Sequence, residues 1–404
     1  MSARIVQILA FTLIAGCGGG GGGSPHAPSR FMYVNADRGP NEFSTETYGF
    51  VLSSGGALEP ITGFSPVPSN LPGGGPLVIP FDSKFLYTTD TDTGYGLGAI
   101  ADQITAFQIN PDGSLTKAPS HSFSMADNPV GLVAHPTADF LYVSSGSGVL
   151  SVFAINSGTG ALTLTSSVSL GGNIEILNSA VITPNGKYLY QADVYYPNGL
   201  TQQPVPQLEA FSIDPATGAL TAVPGGPVST SSYVSSMSID PTGTFLYASY
   251  EDHNEIAAFS IDATSGTLTA VPGSPFTVGG SATTLVTSIA VDASGKFVIV
   301  GLEPGAVGNC LDVFSIDSGT GALALVPGSP FAPNALVCPS VVSDPSEPLV
   351  YASGASGLQA GPGVPPATVV ALSVDQTTGA LTPVGQATIP SNEGVNAGFI
   401  AITH

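Results

Sequence analysis

The sequence predicts an all-β fold built from seven copies of one four-stranded unit. Two sequence phrases each recur seven times along the chain, which indicates a repeat architecture rather than separate domains. The 404 residues include 51 glycines and 35 prolines, so turn formers interrupt the apolar stretches every few residues. Hydrophobic residues still make up 43% of the chain and can fill a large core. Many short antiparallel strands satisfy both conditions, whereas long helices do not.

The first phrase is an aromatic or apolar strand followed by a tight turn and a second strand. Its copies are 50–58 (FVLSSGGAL), 107–115 (FQINPDGSL), 153–162 (FAINSGTGAL), 211–220 (FSIDPATGAL), 259–268 (FSIDATSGTL), 314–323 (FSIDSGTGAL) and 372–381 (LSVDQTTGAL). The second phrase is a turn and strand of the type DPTGTFLYAS. Its strands begin at Phe31, Phe85, Phe140, Tyr188, Phe245, Phe297 and Leu349.

Each repeat therefore predicts four strands, as in residues 234–240, 245–249, 257–261 and a fourth strand from Leu268. Four antiparallel strands per repeat are typical of a β-propeller blade. The closing leucines, from Leu58 to Leu381, recur about every 54 residues, which is too long for a β-helix repeat. The chain has no Trp, which argues against the WD40 repeat.

The two ends of the repeat region complement each other. Residues 31–34 read as a second strand without a first strand before it, while residues 398–402 read as an inner strand without a partner. We expect the C-terminal strand to complete blade one, because this closure removes the exposed edges of an open sheet.

The N-terminus predicts export and membrane attachment. A short positive segment precedes the apolar residues 5–13, and residues 13–17 (LIAGC) resemble the lipobox of bacterial lipoproteins. That resemblance implies a signal peptide at 1–16, lipid modification of Cys17, a glycine-rich tether at 17–29 and the propeller at 30–404. We therefore expect the protein in the bacterial cell envelope, attached to the membrane by its lipid and facing the periplasm or the cell exterior.

The charge of the chain limits its partners. Seven Lys and Arg against 28 Asp and Glu give a net charge of -21, which repels nucleic acid and anionic headgroups. We expect no nucleic-acid partner and a monomer, with the covalent lipid as the contact to the membrane.

The two phrases resemble the lactonase-like family of seven-bladed propellers, which includes relatives of 6-phosphogluconolactonase and carboxymuconate cyclase and the wider YVTN-type propellers. The resemblance covers residues 31–404. It rests on scaffold turns and strands, so it implies the fold and leaves the chemistry open.

The strand order predicts two different faces. The turns between first and second strands and between third and fourth strands are short, and we call their side the tight-turn face. The opposite side, the long-loop face, carries the connections 36–48, 62–76, 90–103, 193–207, 301–310 and 354–368. Function is expected on the long-loop face. Arg38 is almost its only cation, which disfavours a phosphorylated ligand.

Candidate catalytic residues are His253, Glu251 and Arg38. His253 and Glu251 lie in the densest polar cluster, where a histidine could act as a base oriented by a carboxylate. A solvated charged loop is the alternative interpretation of this cluster, and metal binding is a third.

Asp90, Asp92 and Asp102 form a candidate calcium site. Residues 90–94 begin like an oxygen-ligand calcium loop, but Ala101 stands at the twelfth position, where a bidentate Glu is expected, and Asp102 is one residue late. No cofactor is required by the sequence, and calcium is an open alternative.

Cys310 and Cys338 are candidate disulfide partners. Both precede strands that start on the long-loop face, and an oxidising compartment favours their pairing. Two buried thiols are the alternative.

The sequence thus predicts an envelope propeller that binds a small molecule or an envelope protein on its long-loop face. The alternative is an active lactonase-like hydrolase acting on a neutral, non-phosphorylated lactone. Whether the protein is an enzyme stays open, because no nucleophile elbow, zinc spacing or assembled oxyanion site can be placed.

Overall fold

The computed structural model describes most of the predicted propeller. Its described residues are 30–37, 45–69, 75–90, 102–125, 128–171, 174–197, 203–250, 253–279, 285–303, 310–331, 340–354, 367–389 and 397–403. All regular elements in these ranges are strands. Within the same ranges, no helix has the length and apolar character that a membrane crossing requires. The predicted signal peptide, 1–16, and tether, 17–29, lie outside the described residues.

Seven antiparallel sheets form the seven blades. Blade one contains β1 (Arg30–Asp37), β2 (Thr45–Leu52), β3 (Leu58–Pro60), β4 (Val67–Ser69) and the last strand of the chain, β31 (Ala397–Ile402). Blade two contains β5 (Leu77–Val78), β6 (Phe85–Asp90), β7 (Gln103–Ile109) and β8 (Leu115–Ser124). Blade three contains β9 (Pro129–Ala134), β10 (Phe140–Ser145), β11 (Val149–Ile155) and β12 (Leu162–Ser169).

The other four blades repeat this order. Blade four contains β13 (Ile174–Ile182), β14 (Tyr188–Tyr195), β15 (Val205–Ile213), β16 (Leu220–Ala222) and β17 (Val228–Ser229). Blade five contains β18 (Val234–Ile239), β19 (Phe245–Tyr250), β20 (Glu255–Ile261), β21 (Leu268–Ala270) and β22 (Phe276–Thr277). Blade six contains β23 (Leu285–Val291), β24 (Phe297–Glu303), β25 (Leu311–Ile316) and β26 (Leu323–Leu325). Blade seven contains β27 (Ser340–Ser343), β28 (Leu349–Gly354), β29 (Thr368–Val374) and β30 (Leu381–Thr388).

The predicted fourth strand is shorter than expected in several blades. In blade five it splits into β21 and β22, which both pair with β20. Pro272 and Pro275 lie in the gap and cannot donate to the ladder, so pairing stops and resumes after the turn. Blades one and four show the same division of the outer strand.

The hydrophobic core lies between the blades. The described apolar side chains form seven buried clusters, and each cluster joins residues of two neighbouring blades. The interface of blades three and four, for example, packs Tyr142 and Val152 against Leu189 and Phe211. Both faces of the central strands are buried against neighbouring blades, so these strands are nearly continuously buried, as in FLYASY of β19.

The two repeated phrases meet across each interface. The ring of Phe31 covers Gly113 in the tight turn of blade two so closely that a Cβ there would lie 2.4 Å from the ring. The same relation joins Phe85 to Gly160, Phe140 to Gly218, Tyr188 to Gly266, Phe245 to Gly321 and Phe297 to Gly379. These glycines also have positive φ, so both the conformation and the approach require glycine.

A buried tyrosine two residues later ties most of the same pairs together. Tyr33 donates its hydroxyl to the Gly113 carbonyl at 2.7 Å. The same bond joins Tyr87 to Gly160, Tyr142 to Gly218, Tyr190 to Gly266 and Tyr247 to Gly321. Ile299 occupies this position in blade six, and Tyr351 of blade seven instead bonds Asp344 of its own blade. One repeated contact therefore sets the spacing of successive blades.

The turns of the tight-turn face are held by the side chains of their first residues. Asp214 accepts backbone N–H bonds from Ala216 at 3.0 Å and Thr217 at 2.8 Å, and Asp262, Asp317 and Asp375 do the same in their turns. His135 takes the corresponding place of Asp240 in blade three. Its Nδ1 accepts the Thr137 N–H at 3.2 Å, and its Nε2 lies 3.1 Å from the Gly186 carbonyl.

The C-terminal strand completes blade one, which confirms the predicted closure. β31 pairs with β1 in antiparallel register, with Met32 opposite Ile402 and Val34 opposite Ile400. Beyond the strand, the Thr403 N–H donates to the Phe31 carbonyl at 2.9 Å. In blade five, the equivalent hydrogen bond runs from the Asp240 N–H to the Phe245 carbonyl, at 3.0 Å.

Candidate functional site

A cavity of about 480 Å³ lies on the axis of the propeller. The innermost strand of each blade, or the residue just before it, lines the cavity; in blade order these strands are β31, β5, β9, β13, β18, β23 and β27. The lining residues occupy equivalent positions in the seven repeats. In blade five the lining residues are Ser235, Ser236 and Met237, which precede the turn residue Asp240. The inner strands run from the long-loop face toward the tight-turn face, and the lining residues stand two to five residues before the turn residue of their blade.

The two sides of the cavity differ in polarity. Blades four to seven place a serine at the same repeat position, four residues before the turn residue: Ser179, Ser236, Ser288 and Ser340. Blades one to three present apolar lining residues instead: Ile400, Pro76, Leu77 and Leu132. We call the first set the hydroxyl arc and the second set the apolar arc.

Parts of the hydroxyl arc are already used for contacts between blades. Ser236 Oγ accepts the backbone N–H of Ile289 at 3.3 Å, and the neighbouring Ser235 donates to the Val286 carbonyl at 3.0 Å. Ser288 differs, because its Oγ is buried and has no hydrogen-bond partner among the described residues. A buried hydroxyl without a partner is costly, so Ser288 is a candidate binding group of the cavity once its side chain turns toward a ligand.

The described lining of the cavity contains no titratable side chain. Its chemistry is limited to hydroxyls, backbone groups and apolar surface. Such a lining can hold and orient a neutral polar molecule, but it offers no general base and no cation for a phosphate.

The structure places His253 away from this cavity. His253 is exposed in the connection between β19 and β20, the second and third strands of blade five, and its carbonyl accepts the Glu255 N–H at 2.7 Å. Glu251 and Arg38 lie outside the described residues. The predicted catalytic set therefore stays a prediction.

The structure likewise describes only some of the residues of the predicted calcium site. Asp90 ends β6 opposite Gln103 of β7, and Asp102 immediately precedes β7, so their backbones lie at neighbouring strand ends of blade two. Asp92 lies outside the described residues. In the described part of the chain, no three His, Cys, Asp or Glu side chains come together as a metal site.

Cys310 is fully buried immediately before β25 and takes part in a disulfide bond. Its predicted partner Cys338 lies outside the described residues, as does the predicted lipidation site Cys17. The pairing and the lipid modification stay predictions.

Sequence reasoning alone does not identify the hydroxyl arc. The serines stand four residues before each turn residue in phrases that otherwise carry scaffold signals, as in VSSMSID of blade five. Aligning the inner strands on their turn residues would have shown a serine at this position in four successive blades. The apolar residue that follows it, such as Met237 or Ile289, hides the pattern.

Comparisons with known proteins agree with this architecture. A family model described as lactonase, 7-bladed beta-propeller, matches residues 26–178, 175–286 and 227–339. A search of curated proteins finds no match. Several solved structures are similar over nearly their whole length.

One is a candidate 6-phosphogluconolactonase from Bacteroides uniformis, with 16% identity, a TM-score of 0.68, and 92% of this chain and 100% of that chain covered. Another is the periplasmic gluconolactonase of Pseudomonas aeruginosa, with 15% identity, a TM-score of 0.66, and coverage of 91% and 99%. At these identities the structural likeness shows the fold alone. The family model spans well over half of the sequence, and the chain therefore belongs to the lactonase family of seven-bladed β-propellers.

Proposed function

We propose that this propeller binds a small neutral molecule with one polar side and one apolar side in its axial cavity, entering from the long-loop face. The observation that carries the proposal is the hydroxyl arc of four successive blades facing the apolar arc of the other three. A cavity of about 480 Å³ falls in the size range of small-molecule sites.

The charges of the protein favour a neutral ligand. A phosphate dianion needs several Arg or Lys donors to offset its desolvation, and the described lining has none. Three of the described lysines, Lys84, Lys187 and Lys296, follow or lie in turns of the opposite, tight-turn face. A sugar or a neutral sugar lactone matches the lining better, because its hydroxyls and its C–H face could contact the two arcs separately.

Gluconolactone is the first probe, since the similar Pseudomonas aeruginosa protein bears the name of a gluconolactonase. Its binding can be measured by calorimetry, and glucose serves as a second ligand that has no lactone bond to hydrolyse. Ser288→Leu fills the cavity and is expected to abolish binding. Ser288→Ala removes one hydroxyl, and we expect affinity to fall about tenfold, as for the loss of one buried hydrogen bond.

Ser315→Ala is the matched control, because Ser315 lies in the same blade and its hydroxyl bonds the Ala324 carbonyl of the outer strand. It should bind as the unchanged protein does. Binding that survives Ser288→Leu would show that the ligand occupies another place.

Membership of the lactonase family supports hydrolysis of a neutral lactone as the second candidate. Such a reaction would need a base from outside the described cavity lining, for which His253, Glu251 and Arg38 are the candidates. Gluconolactone hydrolysis above the uncatalysed rate, lost in His253→Ala and retained in Ser315→Ala, would support it. Binding without turnover favours the first proposal.

We also propose that lipid on Cys17 holds the propeller at the membrane in the cell envelope. Support comes from the lipobox-like residues 13–17 and from the net charge of -21, which provides no electrostatic attraction to anionic lipid. Metabolic labelling with a palmitate analogue should mark the full chain. Labelling of Cys17→Ser to the same extent would refute the anchor.

A further inference from the structure

A carboxylate is fully buried between blades three and four. Asp193 lies on β14 and is fully buried, and neither of its side-chain oxygens has a hydrogen-bond partner among the described residues. An isolated buried carboxylate is strongly unfavourable unless a cation or a proton neutralises it.

Strand alternation shows which way Asp193 points. Leu189 of β14 packs into the hydrophobic cluster shared with blade three. Alternate residues of a strand point to the same side, so Asp193, four residues after Leu189, shares its face. Asp193 therefore points toward blade three. Glu209 of β15 shares this face, because Phe211 two residues later packs into the same cluster. A second, half-buried carboxyl is thus turned to the same side, and burial raises its pKa.

Blade three turns a hydroxyl toward blade four. Tyr142 of β10 points into the cluster shared with blade four, so Ser144 two residues later also faces blade four. Ser144 stands four residues after Phe140, as Ala192 stands four residues after Tyr188, so its position in the repeat is one residue before that of Asp193. Ser144 is 3% exposed, and its Oγ also has no hydrogen-bond partner among the described residues.

No described basic side chain neutralises this group. Arg30 forms an ion pair with Asp344. The described lysines also lie elsewhere: Lys117 is on the outer strand of blade two, and the others are near tight turns, namely Lys84, Lys187 and Lys296. Burial raises the pKa of Asp193 to about 7, the nearby Gln207 amide lowers it in part, and the charge of Glu209 raises it further.

We infer that Asp193, Glu209 and Ser144 form a site for a hard divalent cation of the calcium class between blades three and four. Two carboxylates and a hydroxyl supply the oxygen ligands that such a cation prefers, and water or backbone carbonyls would complete its shell. The site is separate from the axial cavity but adjoins its wall, since the Gln191 amide beside Asp193 donates to the carbonyl of the cavity residue Ser179 at 3.0 Å. A cation there would clamp two blades together.

The test compares thermal unfolding of the full chain in calcium chloride and in chelator. We expect calcium to raise the melting temperature of the unchanged protein and calorimetry to detect calcium binding. Asp193→Asn keeps the shape of the side chain but should lose both responses. Glu209→Gln and Ser144→Ala are milder changes, and each should weaken calcium binding, by about tenfold for the carboxylate.

Asp312→Asn is the matched control. Asp312 is also a fully buried carboxylate, but it lies between blades five and six. This variant should keep the full calcium response. Absence of a calcium effect in the unchanged protein, combined with a higher melting temperature of Asp193→Asn in chelator, would show that Asp193 is simply protonated. An equal calcium response in Asp193→Asn would place the cation elsewhere, and either result overturns the inference.

Discussion

The guanidinium of Arg30 lies 2.9 Å from both carboxylate oxygens of Asp344, which joins blade one to blade seven across 314 positions of sequence. Asp344 is fully buried and also accepts bonds from Tyr351 at 3.0 Å and from the Ser346 N–H at 2.9 Å. The last interface of the ring thus has an ion pair among the described residues. In five of the other interfaces, a tyrosine hydroxyl and a glycine carbonyl make the contact.

Replacement of Arg30 by Gln should weaken this closing interface. The change leaves the buried Asp344 carboxylate without its cation, and we expect the free energy of unfolding in urea to fall by about 3 kcal/mol. Lys84→Gln is the control, because Lys84 is 58% exposed and its Nζ lies 3.2 Å from Asp82. Loss of an exposed pair should cost less than about 1 kcal/mol. Equal effects of the two changes would contradict a special role for Arg30.

The same interface should weaken in acid. Burial alone would raise the pKa of Asp344, but the Ser346 N–H and Arg30 together lower it below the ordinary value. An acid with a lowered folded pKa contributes stability above its unfolded pKa, and this contribution is lost as the pH falls through the folded pKa. The stability difference between Arg30→Gln and the unchanged protein should therefore be largest near neutral pH and shrink below about pH 4. Urea titrations at pH 3 to 8 measure it.

Asp312→Asn should have the opposite pH dependence. Burial raises the pKa of Asp312 to about 6, although the Gly279 N–H lowers it in part. A raised folded pKa means that folding is favoured by the protonated form and that this stability is lost as the pH rises from about 4 through about 6. The variant should match the unchanged protein near pH 4 and exceed it by about 2 kcal/mol above pH 7. A constant difference at all pH values would exclude ionisation of Asp312 as the cause.

Gly266→Ala should destabilise the protein far more than Gly226→Ala. Both glycines have positive φ, of 77° and 73°, so alanine is strained at either place. A Cβ at Gly266 would lie 2.4 Å from the Tyr188 ring, whereas a Cβ at Gly226 meets nothing within 4 Å. We expect losses of about 1 kcal/mol at Gly226 and at least about 3 kcal/mol at Gly266 in urea unfolding. Similar losses would mean that the ring contact between blades has little energetic weight.

Deletion of the last ten residues should prevent cooperative folding. It removes β31, whose Ile400 and Ala401 are buried, and exposes the edge of β1 to other chains. We expect loss of a sharp thermal transition and aggregation in size-exclusion chromatography. Deletion of His404 alone should leave the transition unchanged. A monomeric truncated chain with a normal transition would show that the seven remaining sheets close without this strand.

The scaffold was predictable because it depends on repeated local signals. Phe245, Asp240 and Gly321 belong to phrases that recur in every blade, and their spacing alone predicts strands and tight turns. The pairing of β31 with β1 was also predictable, since each end lacked what the other provided.

The cavity and the buried acids were not predictable in the same way. The burial of Ser288 and Asp193 depends on what the neighbouring blade places against them, and this contact depends on register across a nonlocal interface. In the sequence, Asp193 stands at the start of the predicted connection 193–207. Its burial becomes visible only when β14 is paired and packed against blade three.

The bond from Thr403 to Phe31 makes the ring closure equivalent to an ordinary turn of the fold. In the other blades whose turn residue has an N–H that makes this bond, a short stretch of chain connects the two bonded residues. Four residues, for example, connect Asp240 to Phe245. A linker of that length joining Thr403 to Phe31 would give a circular backbone with a tight turn at this place in every blade. The polypeptide could then be opened at another tight turn, so the order in which the blades are synthesised is separable from the order in which they stand in the ring.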